Sequence, residues 1–347
     1  MGTRVICNPR DDELRCRVGG GKRDRTADLL HAMQALSQLS YTPTESAALY
    51  DTGEGPRKPR VRKTEVAGDG EVFRPGSHHP LAITATSTMS TAEHPGMLEG
   101  RVVLITGATG GLGAPIARAC AAAGATVVLH ARVVRKLEAL YDEILAAGHA
   151  EPVILPLDFA KAEADDFANV ANALESQFKR LDAIVHTAAM LGSLGPLEHQ
   201  SFDNWVNLLR VNVAAPMGLT RALMPLISRA PDASVIFTLD DRGIEPRAYW
   251  GGYAVTKAGV AALSRELADE WEHRANLRVN AVIPGPIRSP LRGQSHPAEN
   301  RMALPEPERL VPLYLELIGR QSKADSGALV DARAWLAGTP SSSPLRV

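Results

Sequence analysis

From Met97 onward, short aliphatic runs alternate with longer segments whose apolar positions recur every three or four residues. RVVLIT (101–106), ATVVLHA (125–131), PVILPLD (152–158), LDAIVHTAA (181–189), SVIFTL (234–239) and RVNAVIPG (278–285) are runs of strand length. Continuous Val/Ile/Leu runs of this kind belong to strands buried on both faces. Between them lie helical segments. Ala114–Ala123 is rich in small residues and closes at Gly124; Val133–Ala147 is amphipathic and closes at Gly148; a third runs to about Phe178. Glycine just past the last helical residue is a common terminator. Strands alternating with helices predict βαβ units, and therefore a single doubly wound parallel sheet, an α/β fold over residues 97–340. There is no repeat of the solenoid kind.

Before residue 97 the pattern is missing. Residues 51–80 are rich in glycine, proline and charge, and TATSTMST (84–91) is polar and of low complexity. Such segments bury too little apolar surface to offset chain entropy, so residues 1–96 are expected to be mostly disordered. DLLHAMQALSQL (28–39) has helical spacing but is marginal alone at that length. RDRTADLLHAMQALSQLSYTP (23–43) resembles the mistaken translation of a non-coding gene region, which places the natural start at Met89 or Met97. The alternative is a targeting or partner-binding extension.

The net charge of the 347-residue chain is -1, which leaves no footprint for nucleic acid. No apolar run approaches the ~18 residues of a membrane span, and charges interrupt every candidate signal-peptide core in MGTRVICNPRDDELRCR. Three cysteines, Cys7, Cys16 and Cys120, without a CxxC pair, argue against a disulfide framework or a metal site. A reduced, cytoplasmic setting is expected.

The first strand runs into TGATGGLG, with Gly107, Gly111 and Gly113 spaced GxxxGxG. Between a strand and a helix, such glycines permit a tight turn and let the backbone approach a pyrophosphate at the helix N-terminus. Thr109 and Leu112 belong to the same dinucleotide-binding turn. At the end of the second strand an acidic residue would hold a ribose hydroxyl. Ala131 stands there instead, followed by Arg132, which suits a 2′-phosphate. NADP(H) is thus favoured, with NAD(H) possible; alternatively, Arg132 only faces solvent. Asp158, ending the third strand, is placed to accept from an adenine amino group or to cap the following helix.

Gly251–Val260 is predicted helical, which puts Tyr253 and Lys257 one turn apart on one face. With TGATGGLG, Asp158, Asn212 in LLRVNVAA, YAVTK and IPGP (283–286) in this order, residues 98–335 resemble the short-chain dehydrogenases/reductases. LVPLYLELIG (310–319) and the GGY context resemble a bacterial subgroup often called YciK-like. The resemblance implies a Rossmann-type domain and hydride transfer between NADP(H) and a small-molecule carbonyl or secondary alcohol. It implies that Tyr253 is the general acid, that Lys257 lowers its pKa and bonds the nicotinamide ribose, and that Asn212 holds a relay water through its backbone. Thr187, Ala188, Ala189, Pro284, Gly285 and Ile287 would border the nicotinamide. Residues 288–310 would be a mobile substrate lid, and Arg247, Tyr249 and Trp250 would line the pocket or a subunit contact. The helices beginning near Phe202 and Tyr249 would pair in a homodimer or homotetramer.

Two departures bear on activity. Thirteen residues before Tyr253, where the family has a serine, stands Asp240. A carboxylate has no proton to donate. Like charges ~4 Å apart repel by roughly 4 kcal/mol at an effective dielectric near 20, about three pKa units. Either Asp240 is protonated and donates, or it turns away and Thr238 substitutes, or the protein binds a dinucleotide without turnover. In addition, Thr187-Ala188-Ala189 replaces the family's Asn-Ala-Gly. If the start lies within the chain, mass spectrometry of the natural protein will find an N-terminus at Met89 or Met97; one near Met1 would refute it.

Overall fold

The computed structural model describes residues 96–319 and 326–339, and the backbone of 342–344. The expectations for residues 1–95 lie outside these. The strands are β1 (Val102–Thr106), β2 (Thr126–Ala131), β3 (Val153–Pro156), β4 (Ala183–His186), β5 (Ala233–Thr238), β6 (Leu277–Ile283), β7 (Ala328–Asp331) and β8 (Ser342–Pro344). They form one sheet in the order β3-β2-β1-β4-β5-β6-β7-β8. The first seven are parallel and the edge strand β8 is antiparallel to β7.

The helices are α1 (Gly113–Ala122), α2 (Val134–Ala146), α3 (Ala164–Gln177), α4 (Phe202–Leu209), α5 (Ala215–Ser228), the short α6 (Asp241–Ile244), α7 (Gly251–Glu270), α8 (Pro290–Ser295), α9 (Val311–Ile318) and α10 (Ala332–Leu336). Successive strand side chains point to opposite faces. Val103, Ile105, Leu129 and Ile236 pack with Ile116 of α1 and Tyr314 of α9. Leu104, Val128, Val235 and Phe237 pack with Phe167 of α3, Leu219 of α5 and Val260 of α7. The doubly wound expectation holds, with helices on both faces.

Strand order reverses between β1 and β4, whose neighbouring loops part at their carboxyl ends and open a crevice. The strand expected over 181–189 stops at His186, because its partner β1 stops opposite at Thr106. The chain then crosses the end of β1, with Thr187 N–H donating to the Thr106 carbonyl at 3.3 Å. The helix read to Val260 continues to Glu270. Residues 288–310, expected as a mobile loop, contain α8 and two short 3-10 turns, Arg301–Ala303 and Pro307–Leu310. Ser289 caps α8 by accepting from Arg292 N–H. Ion pairs Arg292–Glu299 and Arg288–Glu306 lie within the segment, so its prolines and charges also serve caps and pairs.

Among the described residues no helix is long and apolar enough to cross a membrane. At the amino end of the sheet, Arg101 is buried and pairs with Asp232 at 3.1 Å, while Arg278 holds the same carboxylate at 3.2 Å. Arg278 keeps Asp232 paired, so Arg101→Ala is expected to lower the denaturation midpoint through the lost packing and hydrogen bonds of the buried Arg101 side chain.

Candidate active site

Gly107, directly after β1, takes φ +68°, a value that side-chain-bearing residues rarely adopt. A Cβ there would lie 2.8 Å from both Cα and N of Ala188. At Gly113 a Cβ would overlap the Gly107 carbonyl oxygen and lie 2.8 Å from Thr187 Oγ1. At Gly111 it would lie 2.9 Å from Pro290 Cδ. The turn is thus bare backbone between two walls, at the positive end of α1. Thr187 donates its hydroxyl to the Thr106 carbonyl at 2.6 Å, and Ala188 N–H donates to Thr106 Oγ1 at 3.3 Å. Threonine therefore braces the turn where asparagine was expected. Ala189 is accommodated because its backbone has no positive φ.

The turn opens into a cavity of about 590 Å³. At one end lie Arg132, Asp158 and Lys136. Arg132 is exposed yet lines this cavity. Asp158 accepts from Ala160 N–H at 3.1 Å; it does not cap α3, whose capping box is Glu163 with Asp166. At the other end are Ala188, Ala189, Asp240, Trp250, Tyr253 and Lys257, with Pro284, Gly285 and Ile287 along one side. Thr109 and Leu112 line the turn itself.

Two residues were missed by the sequence reading. Lys136, in the first turn of α2, lines the same cavity as Arg132. His130 lies beneath the turn, stacked on Phe159 with ring centroids 4.2 Å apart. Its Nδ1 accepts from Gly107 N–H at 3.4 Å and its Nε2 meets the Leu157 carbonyl at 3.1 Å, an arrangement that puts the single proton on Nε2. Burial pushes its pKa down to about 4. The signal was available, since parallel register sets His130 beside Thr106.

Tyr253 and Lys257 are both buried and face the cavity from α7. Lys257 Nζ donates to the Thr238 carbonyl at 2.8 Å. Asn212 sits on a π-helical turn (Arg210–Ala214) that links α4 to α5. Its amide exchanges two 2.8 Å hydrogen bonds with the Met190 backbone and donates to Thr256 Oγ1 at 3.0 Å. It stands behind the cavity wall and ties the 187–190 segment to α7. Arg247 does not line this cavity, and neither does the exposed Tyr249; Trp250 does.

Asp240 points inward. Oδ1 accepts from Arg242 N–H at 2.9 Å, capping α6, and Oδ2 accepts from the Tyr253 hydroxyl at 3.3 Å. The Thr238 hydroxyl is engaged on the other sheet face, 3.1 Å from Tyr314 Oη, so it does not substitute for a serine. Burial, then the charge of Asp240 and the hydrogen bond to it, push the Tyr253 phenol well above its ordinary pKa. Burial pushes Lys257 down to about 8, against the opposing pull of Asp240. The net shift of the phenol is thus upward, set by burial and by the carboxylate against it.

A sequence profile of short chain dehydrogenases matches residues 101–300. The chain belongs to the short chain dehydrogenase family. It is 34% identical over 237 residues to the uncharacterized oxidoreductase YciK of Escherichia coli K12, covering 68% of this chain and 93% of YciK. A short chain dehydrogenase from Pseudomonas syringae is 41% identical, with TM-score 0.67 over 69% of this chain and 97% of its own. Another, from Escherichia coli CFT073, was solved in complex with NADPH; it is 34% identical, with TM-score 0.67, over 69% of this chain and 98% of its own. The protein is thus an oxidoreductase of this family. The left-handed φ and the backbone contact at Gly107 together make Gly107→Ala cost about 2 kcal/mol or more, measurable as a lowered melting temperature.

Proposed function

We propose that the protein is an NADP(H)-dependent reductase of a small-molecule carbonyl, with oxidation of the matching secondary alcohol as the reverse. One observation carries this reading: a buried phenol and ammonium, one helical turn apart, share a cavity with a backbone turn too tight for any side chain. The fit to a dinucleotide is good. Gly107, Gly111 and Gly113 keep the turn tight because a Cβ on any of them would clash with neighbouring atoms, and the donors the turn presents are backbone amides. The Gly107–Gly113 turn would hold the pyrophosphate. Arg132 and Lys136 would hold a 2′-phosphate, Asp158 would accept from the adenine amino group, and Lys257 would bond the nicotinamide ribose. Thr187–Ala189 and Pro284, Gly285 and Ile287 would border the ring. The NADPH bound by the relative from Escherichia coli CFT073 supports this choice of cofactor.

A bound NADPH would supply the hydride that the carbonyl carbon accepts. Tyr253 gives its proton to the carbonyl oxygen, and a solvent proton restores the phenol. Burial and Asp240 hold that proton on the phenol, so the protonated form that reduction needs is the one present. The Lys257 ammonium stabilises the phenolate as it forms. Asn212 keeps the 187–190 wall and α7 in register.

The helices α4 and α7 leave Phe202, Val206 and Val255 exposed, Phe202 by 79%, which supports a homodimer or homotetramer through this face. The buried free thiol of Cys120 is compatible with a cytoplasmic protein. A second reading, a dinucleotide-binding protein with weakened turnover, is favoured by the Tyr253–Asp240 contact alone.

NADPH oxidation with a panel of aldehydes and ketones separates the two. Under the reductase reading, Tyr253→Phe lowers kcat by roughly 10²–10⁴-fold while NADPH still binds. Lys257 is protonated below its pKa, so the wild-type rate falls as pH rises through about 8. NADPH binding without oxidation of any substrate would favour the second reading.

A further inference from the structure

The contact between Tyr253 and Asp240 sets a condition on the substrate, given the reductase reading above. A phenol has one proton to donate. Here it goes to Asp240 Oδ2 at 3.3 Å. A carbonyl awaiting reduction needs that same proton, so the carboxylate and the substrate compete for it.

Asp240 cannot readily withdraw. Oδ1 is held by Arg242 N–H at 2.9 Å as the cap of α6. The α6 turn is wedged against α7: a Cβ on Gly243 would lie 2.6 Å from the Lys257 carbonyl carbon. The next residue, Asp241, is anchored by Arg333 at 2.8 and 3.1 Å. Cations near the carboxylate are committed elsewhere. Arg292 is held by Glu299 at 2.6 and 2.7 Å, and Lys257 by the Thr238 carbonyl. The Arg242 guanidinium lies over the Trp250 ring, 5.3 Å from its centre. His296 Nδ1 meets Ser295 Oγ at 2.9 Å. Tyr253 is the one side-chain donor to Oδ2 among the described residues.

When the phenol turns to a carbonyl oxygen, Oδ2 therefore lacks a donor unless the substrate brings one. Two heteroatoms on adjacent carbons lie roughly 3 Å apart, about a hydrogen-bond length. That matches the spacing between Tyr253 Oη and Asp240 Oδ2. We infer that this site selects carbonyl compounds bearing a hydrogen-bond donor, hydroxyl or ammonium, on the carbon next to the carbonyl. The carbonyl oxygen meets Tyr253 and the neighbouring donor meets Asp240. The donor keeps its hydrogen; it replaces the phenol at the carboxylate, and the reduction itself is unchanged. A site built to bond a substrate donor rejects the analogue lacking it, because its own polar group is left unpaired.

The test compares butan-2-one, 3-hydroxybutan-2-one and 3-aminobutan-2-one with NADPH, in the wild-type protein and in Asp240→Ser. The wild type is expected to favour at least one donor-bearing ketone in kcat/KM by on the order of 100-fold or more. The two donor-bearing ketones tell hydroxyl from ammonium. Asp240→Ser is expected to reduce that preference to within about tenfold, chiefly by accelerating butan-2-one. Calorimetry on the wild-type NADP complex supplies a readout independent of turnover and of the variant's folding: butane-2,3-diol or 3-aminobutan-2-ol should bind at least about tenfold more tightly than butan-2-ol. Comparable reduction of all three ketones by the wild type overturns the inference and leaves the reductase reading standing. So does a preference that Asp240→Ser leaves intact. NADPH binding with no ketone reduced by either protein overturns both.

Discussion

The backbone of the first βα turn lies against the chain leaving β4, and the site is organised around that approach. Gly107 and Gly113 have no room for a side chain because Thr187 and Ala188 occupy the space. The contact joins the two loops that part where strand order reverses, so it fixes both the floor of the cavity and the direction in which α1 presents its amino end. Thr187 tightens it by donating to Thr106, and His130 supports it from below through Gly107 N–H.

Across the cavity the controlling influence is burial. Charge is expensive in an apolar setting, so burial favours the neutral phenol at Tyr253 and the neutral amine at Lys257. Asp240 acts on both in the direction of keeping their protons, which reinforces burial at the tyrosine and opposes it at the lysine. A serine in its place would carry no charge and could donate to the substrate oxygen. Asp240 instead accepts, within a frame set by the elements around it. That frame includes the π-helical turn at Asn212, where one extra residue in the helix aims an amide at the Met190 backbone.

Much of this was legible in the chain. Period and punctuation marked the parallel strands, the covering helices and the glycine turn, because a strand buried on both faces and a helix buried on one leave different apolar spacings. Tyr253 and Lys257 could be placed on one helical face from their spacing alone. Strand ends were less legible: LDAIVHTAA is apolar throughout, and only the length of the neighbouring β1 decides that pairing stops at His186. In residues 288–310 the short helical turns were not legible, because proline and charge mark a loop equally well whether or not caps and ion pairs order it locally.

The sequence by itself determined the doubly wound sheet, the bare turn and the presence of a carboxylate where a hydroxyl was expected, since these follow from local pattern and residue identity. Tertiary structure decided where that carboxylate and its alternatives point. Strand alternation puts Thr238 and Asp240 on one face only while the strand lasts. β5 ends at Thr238, whose hydroxyl turns to Tyr314, and the α6 cap then swings Asp240 toward Tyr253. That choice rests on packing between elements far apart in the chain, and no local spacing encodes it.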